Sequence, residues 1–165
     1  MRFTRCAPGT SAAMANGTPE PRIERPGMIR EERAEHGLSR LVAQELRSGL
    51  LLFTASGRLT RTLGRRITDF LDATEVDRYL AFQDWWDVAS YESSARYDLT
   101  QWVRANRERM VEGHILARSK LVKMGVTVAN ITVLGHLVLH EEKAPFARAL
   151  AQARAQRSPG MRRSP

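Results

Sequence analysis

From Leu50 to Ala153 the hydrophobic pattern switches back and forth between two periods, and this alternation restricts the fold more than any other feature. Leu50-Leu-Leu-Phe-Thr-Ala55 is a short apolar run of strand length. Leu59, Leu63, Ile67, Phe70 and Leu71 then recur at helical spacing and trace one apolar stripe. Residues 79–86 return to strand character and are rich in aromatic side chains. Residues 94–110 predict a helix, with Leu99, Trp102, Val103 and Met110 apolar and Arg104, Arg107, Glu108 and Arg109 mostly on the wet side. A strand over 111–117 and a helix from 120 to about 131 follow, although Gly125 and the β-branched residues weaken that helix. A strand over 134–140 leads into a closing helix over 141–153. In its first turn Glu141 and Glu142 suit the helix dipole and Pro145 forfeits no hydrogen bond.

Strands separated by helices imply an α/β layer fold whose parallel neighbours are joined by right-handed crossovers. Ser56-Gly57 reads as a turn, so residues 57–59 would add one antiparallel strand to 50–55. The expected architecture is a mixed sheet of four to five strands with about four helices packed on it.

The flanks read differently. Residues 1–37 are expected to be a disordered leader, because residues 1–27 are rich in Gly, Pro, Ser, Thr and Ala and cannot bury enough surface to offset chain entropy. Met14 and Met28 are alternative translation starts, and Met28 directly precedes the charged run Ile29-Arg-Glu-Glu-Arg33. Residues 38–47, with Leu38, Leu41, Val42 and Leu46 at helical spacing, predict a short helix. The domain proper is expected over 48–153, and residues 154–165 are expected to be a disordered basic tail.

The formal charge of +8 resembles a nucleic-acid signature until it is divided along the chain. Residues 1–45 carry +1, residues 46–150 carry +3 and residues 151–165 carry +4. Half of the excess therefore lies in a short tail, which gives only weak, salt-sensitive attraction to polyanions. Nucleic acid is not expected to be the main partner. No apolar run approaches the roughly 18–20 residues that span a bilayer, and the N-terminus lacks the apolar core of a secretory signal. Cys6 is the only cysteine, which excludes an internal disulfide framework and a thiolate metal cluster. A cytoplasmic location is the expectation.

The chemistry-bearing positions are few. Tyr91-Glu92-Ser93-Ser94-Ala95-Arg96 lies where a strand is expected to end and a helix to begin. A helix N-terminus favours hydroxyl caps and anionic groups, so Ser93 and Ser94 read either as caps or as phosphorylation sites. Arg96 would attract a phosphate there, whereas Glu92 and Asp98 would repel it. Trp86, Tyr91, Glu92 and Arg96 are the expected partner surface around the serines. Adjacent Trp85 and Trp86 must point to opposite faces of a strand. Arg118, Ser119, Lys120 and Lys123 lie at the next strand-to-helix step and form a candidate anion site, with a solvated helix start as the competing reading. His136 and His140 share a strand face at about 13 Å, too far apart for one metal. His36 and His114 have no ligand spacing either, so neither a metal nor a cofactor is expected. No nucleophile–base pair is legible, and an enzyme is not expected.

The order of elements, with Gly57-Arg58-Leu59-Thr60 after the first strand and Glu92-Ser93-Ser94-Ala95 after the aromatic one, resembles the STAS domain of anti-sigma-factor antagonists and SpoIIAA-like proteins. His114-Ile-Leu-Ala-Arg-Ser119, Leu121-Val-Lys-Met-Gly125 and the last strand and helix fit the same pattern, over about residues 48–153. Glu92 stands where the family has Asp, and Ala95 where it has Gly. The resemblance implies a non-enzymatic regulatory module. It also implies that a partner kinase, itself an anti-sigma factor, would phosphorylate Ser93. Two other classes stay open: a binder of a small hydrophobic or anionic ligand, with a pocket between the sheet and the helix over 94–110, and a weak nucleic-acid binder acting through the arginine tail.

Overall fold

The computed structural model describes residues 28–34, 37–74 and 76–156. Six strands lie side by side in chain order in one mixed sheet: β1 (Met28–Ala34), β2 (Gly37–Arg47), β3 (Leu50–Leu59), β4 (Tyr79–Tyr91), β5 (Met110–Leu116) and β6 (Leu137–His140). The first three are antiparallel to one another, and β3 to β6 run parallel. Four helices complete the α/β fold: α1 (Arg61–Asp72), α2 (Ser93–Ala105), α3 (Lys120–Thr132) and α4 (Lys143–Ala155).

Each helix that joins parallel strands crosses to the same face, as a uniform crossover hand requires. Leu63, Ile67 and Leu71 of α1, Ala95 of α2, and Val122 and Val126 of α3 bury against Leu41, Phe53, Ala81, Trp85 and Ile115 of the sheet. On the opposite face α4 packs alone, with Phe146 and Ala153 buried on Leu50, Phe82 and Leu116. All four helices therefore start at the end of the sheet where the parallel strands finish.

Three expectations are corrected. Residues 38–47 are not a helix: they form β2, paired with β3 and with β1. The buried positions are Ser39, Leu41 and Ala43, a period of two, while Leu38 is 57% exposed. Pairing to two neighbours has overridden the helical propensity of Leu, Ala, Gln and Glu. The leader is not wholly without structure, since residues 28–34 form edge strand β1. Its charged sequence is the kind that discourages further edge pairing. Ser56-Gly57 is not a turn either, because β3 runs through it with a register shift against β4. Gly57 has φ +80°, and a Cβ there would lie 2.7 Å from the Leu38 carbonyl oxygen. The glycine is needed for close approach of β2 inside a bulged strand. The expected disorder of residues 1–27 and 157–165, the alternative start at Met14, and His36 lie outside the described residues. The closing helix runs on to Ala155, so the tail begins later than residue 154.

Candidate functional site

The rim formed by the helix starts holds the serine pair. β4 ends at Tyr91, Glu92 is the N-cap of α2, and Ser93 and Ser94 are its first two residues. Neither serine is the cap, and neither hydroxyl has a hydrogen-bond partner among the described residues. Ser93 is exposed and Ser94 half-buried. Glu92 instead reaches across to the neighbouring helix. Its Oε2 accepts the Arg61 backbone N–H at 2.9 Å, and its Oε1 lies 3.8 Å from the Arg58 guanidinium. Thr60 Oγ1 accepts the Leu63 N–H at 3.2 Å, so the start of α1 is capped from two sides. Asp98 completes the bridge between the helices, 2.8 Å from Arg61 Nε and 3.5 Å from Arg65 Nε. These hydrogen bonds hold the Asp98 carboxyl below its usual range and raise the Arg61 guanidinium. The acids flanking Ser93 are thus already engaged with arginines.

The partner surface named from sequence is divided by the sheet. Tyr91 packs on the three-helix face, where its ring lies against Gly125 of α3; a Cβ there would be 2.6 Å from the phenol oxygen. Trp86 lies on the α4 face, under Lys143 at 5.0 Å and Arg118 at 5.9 Å. The two tryptophans do point oppositely: Trp85 is 8% exposed in the main core. The serines, Glu92 and Arg96 stay together on the first turn of α2 and its cap, apart from Trp86.

The residues proposed for an anion are engaged elsewhere, except one. Arg118 pairs with Asp87 at 3.4 Å, Ser119 Oγ donates to the Ala89 carbonyl at 3.2 Å, and Lys123 donates to Glu141 at 2.5 Å. Ser119 is the N-cap of α3 by position, without a side-chain cap bond. Lys120 is exposed.

Three further features stand out, of which only the pocket between the sheet and the second helix was expected from the sequence. The outer face of α3 exposes Leu121, Met124, Val128 and Ile131, and Leu134 follows just beyond its end; Ile131 is 76% and Leu134 73% exposed. Spacings of three and four put the four helical residues on one stripe. A cavity of about 70 Å³ lies between β4 and helices α2 and α3. Finally, His114 Nδ1 and His140 Nε2 approach to 2.9 Å across β5 and β6, and His114 Nε2 lies 3.0 Å from Glu112 Oε2. Burial lowers the pKa of both imidazoles. Among the described residues no group of His, Cys, Asp and Glu could hold a metal ion, and no helix is long and apolar enough to cross a membrane.

No family model matches the sequence, and no curated protein matches it. Several solved structures are similar to it, two of them as follows. One is an uncharacterised protein of the DUF3478 family with a SpoIIAA-like fold, from Shewanella loihica PV-4. It is 19% identical over 75% of this chain and 93% of that one, with a TM-score of 0.48. The other is an anti-sigma factor antagonist from Mycobacterium paratuberculosis, 12% identical over 68% of this chain and 94% of that one, with a TM-score of 0.49.

Proposed function

We propose that this chain is a non-enzymatic, STAS-like regulatory module of the cytoplasm that docks a protein partner, in the manner of an anti-sigma-factor antagonist. The observation that carries the reading is the apolar stripe on α3. A helix with buried residues on one side and Leu121, Met124, Val128 and Ile131 exposed on the other has a second face that no described residue covers. The sequence of α3 contains two lysines and no acid, which suits a partner with an apolar groove and an acidic rim. Ser93 supports regulation at the same rim. It is exposed at the first position of α2, and Arg96 stands one turn further on. A phosphate there would add roughly −1.5 to −2 charges at the start of α2, and the enzyme adding it would be a kinase of anti-sigma-factor type.

Tagged wild type, Ile131→Glu and Ser93→Glu test this by recovery of partners from the native host. Ile131→Glu is expected to lose the partner and Ser93→Glu to bind it less, both with an unchanged melting temperature. Equal recovery of the same proteins by wild type and Ile131→Glu would remove the docking reading. Equal recovery by Ser93→Glu would remove only the switch.

A further inference from the structure

The floor of the cavity is one face of β4. Tyr79, Ala81, Gln83 and Trp85 alternate along that strand and all line the space. Ala81 is the small member that leaves room above it, and Ala129 thins the roof contributed by α3, while the Tyr91 ring fills the space beside Gly125. The rest of the lining is almost wholly aliphatic or aromatic.

Within this apolar shell, three polar atoms are out of water without a hydrogen-bond partner among the described residues: the Tyr79 hydroxyl, Gln83 Oε1 and Trp85 Nε1. Each such orphan costs about 1–3 kcal/mol, and native proteins carry few of them. Here three belong to one strand face and one cavity. Burial also raises the Tyr79 phenol pKa, so it stays protonated and able to donate. Buried water is a poor remedy. A water needs two to four polar partners and only about 10–15 Å³, and no single water can serve all three groups, because Tyr79 is four residues, about 13 Å, from Gln83. The cavity also exceeds what one water needs.

Arg96 is the only charged side chain among the lining residues. It makes no ion pair among the described residues, unlike Arg58, Arg61, Arg65, Arg109 and Arg118. A cation beside an apolar cavity, together with a buried indole N–H donor, selects an anionic oxygen rather than a cation or a neutral hydrocarbon. We propose that the cavity binds a small organic acid with an aliphatic or aromatic body, its carboxylate held by Arg96 and the Trp85 indole N–H and its body lying over Ala81. Gln83 offers either a carbonyl or, with the amide turned, an N–H to a polar substituent of the ligand. The cavity is separate from the docking stripe, which is on the outer face of α3 while the cavity is under its inner face; Arg96 is shared with the Ser93 region.

Calorimetric titration of the full chain with hexanoate and benzoate, each against its matching alcohol, tests the assignment. The acids are expected to bind at least tenfold more tightly than hexan-1-ol and benzyl alcohol. Arg96→Gln should abolish that preference. Ala81→Val and Ala129→Val, which fill the cavity from floor and roof, should each weaken both acids about tenfold; two variants are used in case one fails to fold. Ile131→Glu should leave the affinities unchanged. An acid retained through native mass spectrometry of the purified protein would support the site. Absence of binding by both acids, equal binding of acid and alcohol by wild type, or full affinity in both filled variants would each overturn it.

Discussion

The two faces of the sheet use the same strands and settle their polar groups in opposite ways. Under α4 the polar side chains find one another: Glu112, His114 and His140 form a chain of contacts, and Phe82 stacks on His114 at 4.4 Å with the rings nearly parallel. Under α1, α2 and α3, where the cover is three helices instead of one, Tyr79, Gln83 and Trp85 are left with orphan atoms beside open space. The amount of cover therefore does not decide how complete the packing is. A face that pairs its polar atoms is accounted for by stability. A face that does not pair them carries an unspent cost, and in native proteins such costs cluster where something else binds.

The largest effect expected from this contrast is on the α4 face. Phe82 is fully buried and touches His114 on one side and Phe146 at 5.5 Å on the other. Phe82→Ala should destabilise by about 3–5 kcal/mol, measured by urea unfolding. A loss below about 1 kcal/mol would mean that this face tolerates a void, and the contrast between the faces would break.

On the cavity face the sign should reverse. Gln83→Met keeps the volume, removes an orphan acceptor and adds an apolar atom, so it should stabilise the unliganded protein by roughly 1–3 kcal/mol. A destabilised variant would show that Gln83 has a partner in solution, and that the two faces are alike in polar satisfaction.

The sequence made the alternation of strands and helices after Leu50 legible, because α1 buries a clean stripe and β3 to β5 are apolar runs. The strand-to-helix step at Tyr91 and Ser93 was legible for the same reason, and so was the opposite pointing of Trp85 and Trp86. β2 was not. Its buried positions include the polar Ser39 and the small Ala43, while Leu38, Leu41, Val42 and Leu46 fit a helix equally well. Ser39 is buried because its Oγ accepts the Arg58 N–H at 3.1 Å, a bond to the next strand that no local pattern announces. The cavity was illegible in detail because it depends on which small residues face one another: Ala81 on the floor and Ala129 above. The His114–His140 pair depends on the register of β5 against β6, in which Leu116 lies opposite His140. Spacing along one strand had instead drawn attention to His136 and His140.

That pair gives the smallest expected effect, and its sign follows from the geometry. With His114 Nε2–H donating to Glu112, His114 Nδ1 must accept from His140 Nε2–H. Protonating His114 puts a hydrogen on both sides of that 2.9 Å approach, so the ring cannot become charged without disturbing its neighbour. Burial acts in the same direction and lowers both pKa values from 6.5, although the Glu112 carboxylate opposes the shift. Groups whose folded pKa is depressed bind protons more readily in the unfolded chain. The pair should therefore leave stability unchanged above pH 6.5 and erode it as pH falls below that value. His114→Asn should flatten the dependence between pH 7.5 and 5.5 while sparing the cavity face, where no histidine is found among the lining residues. Melting curves across that range read the difference. A wild type that gains stability on acidification would mean that Glu112 dominates the pair, making this face a charged one instead of a neutral packed one.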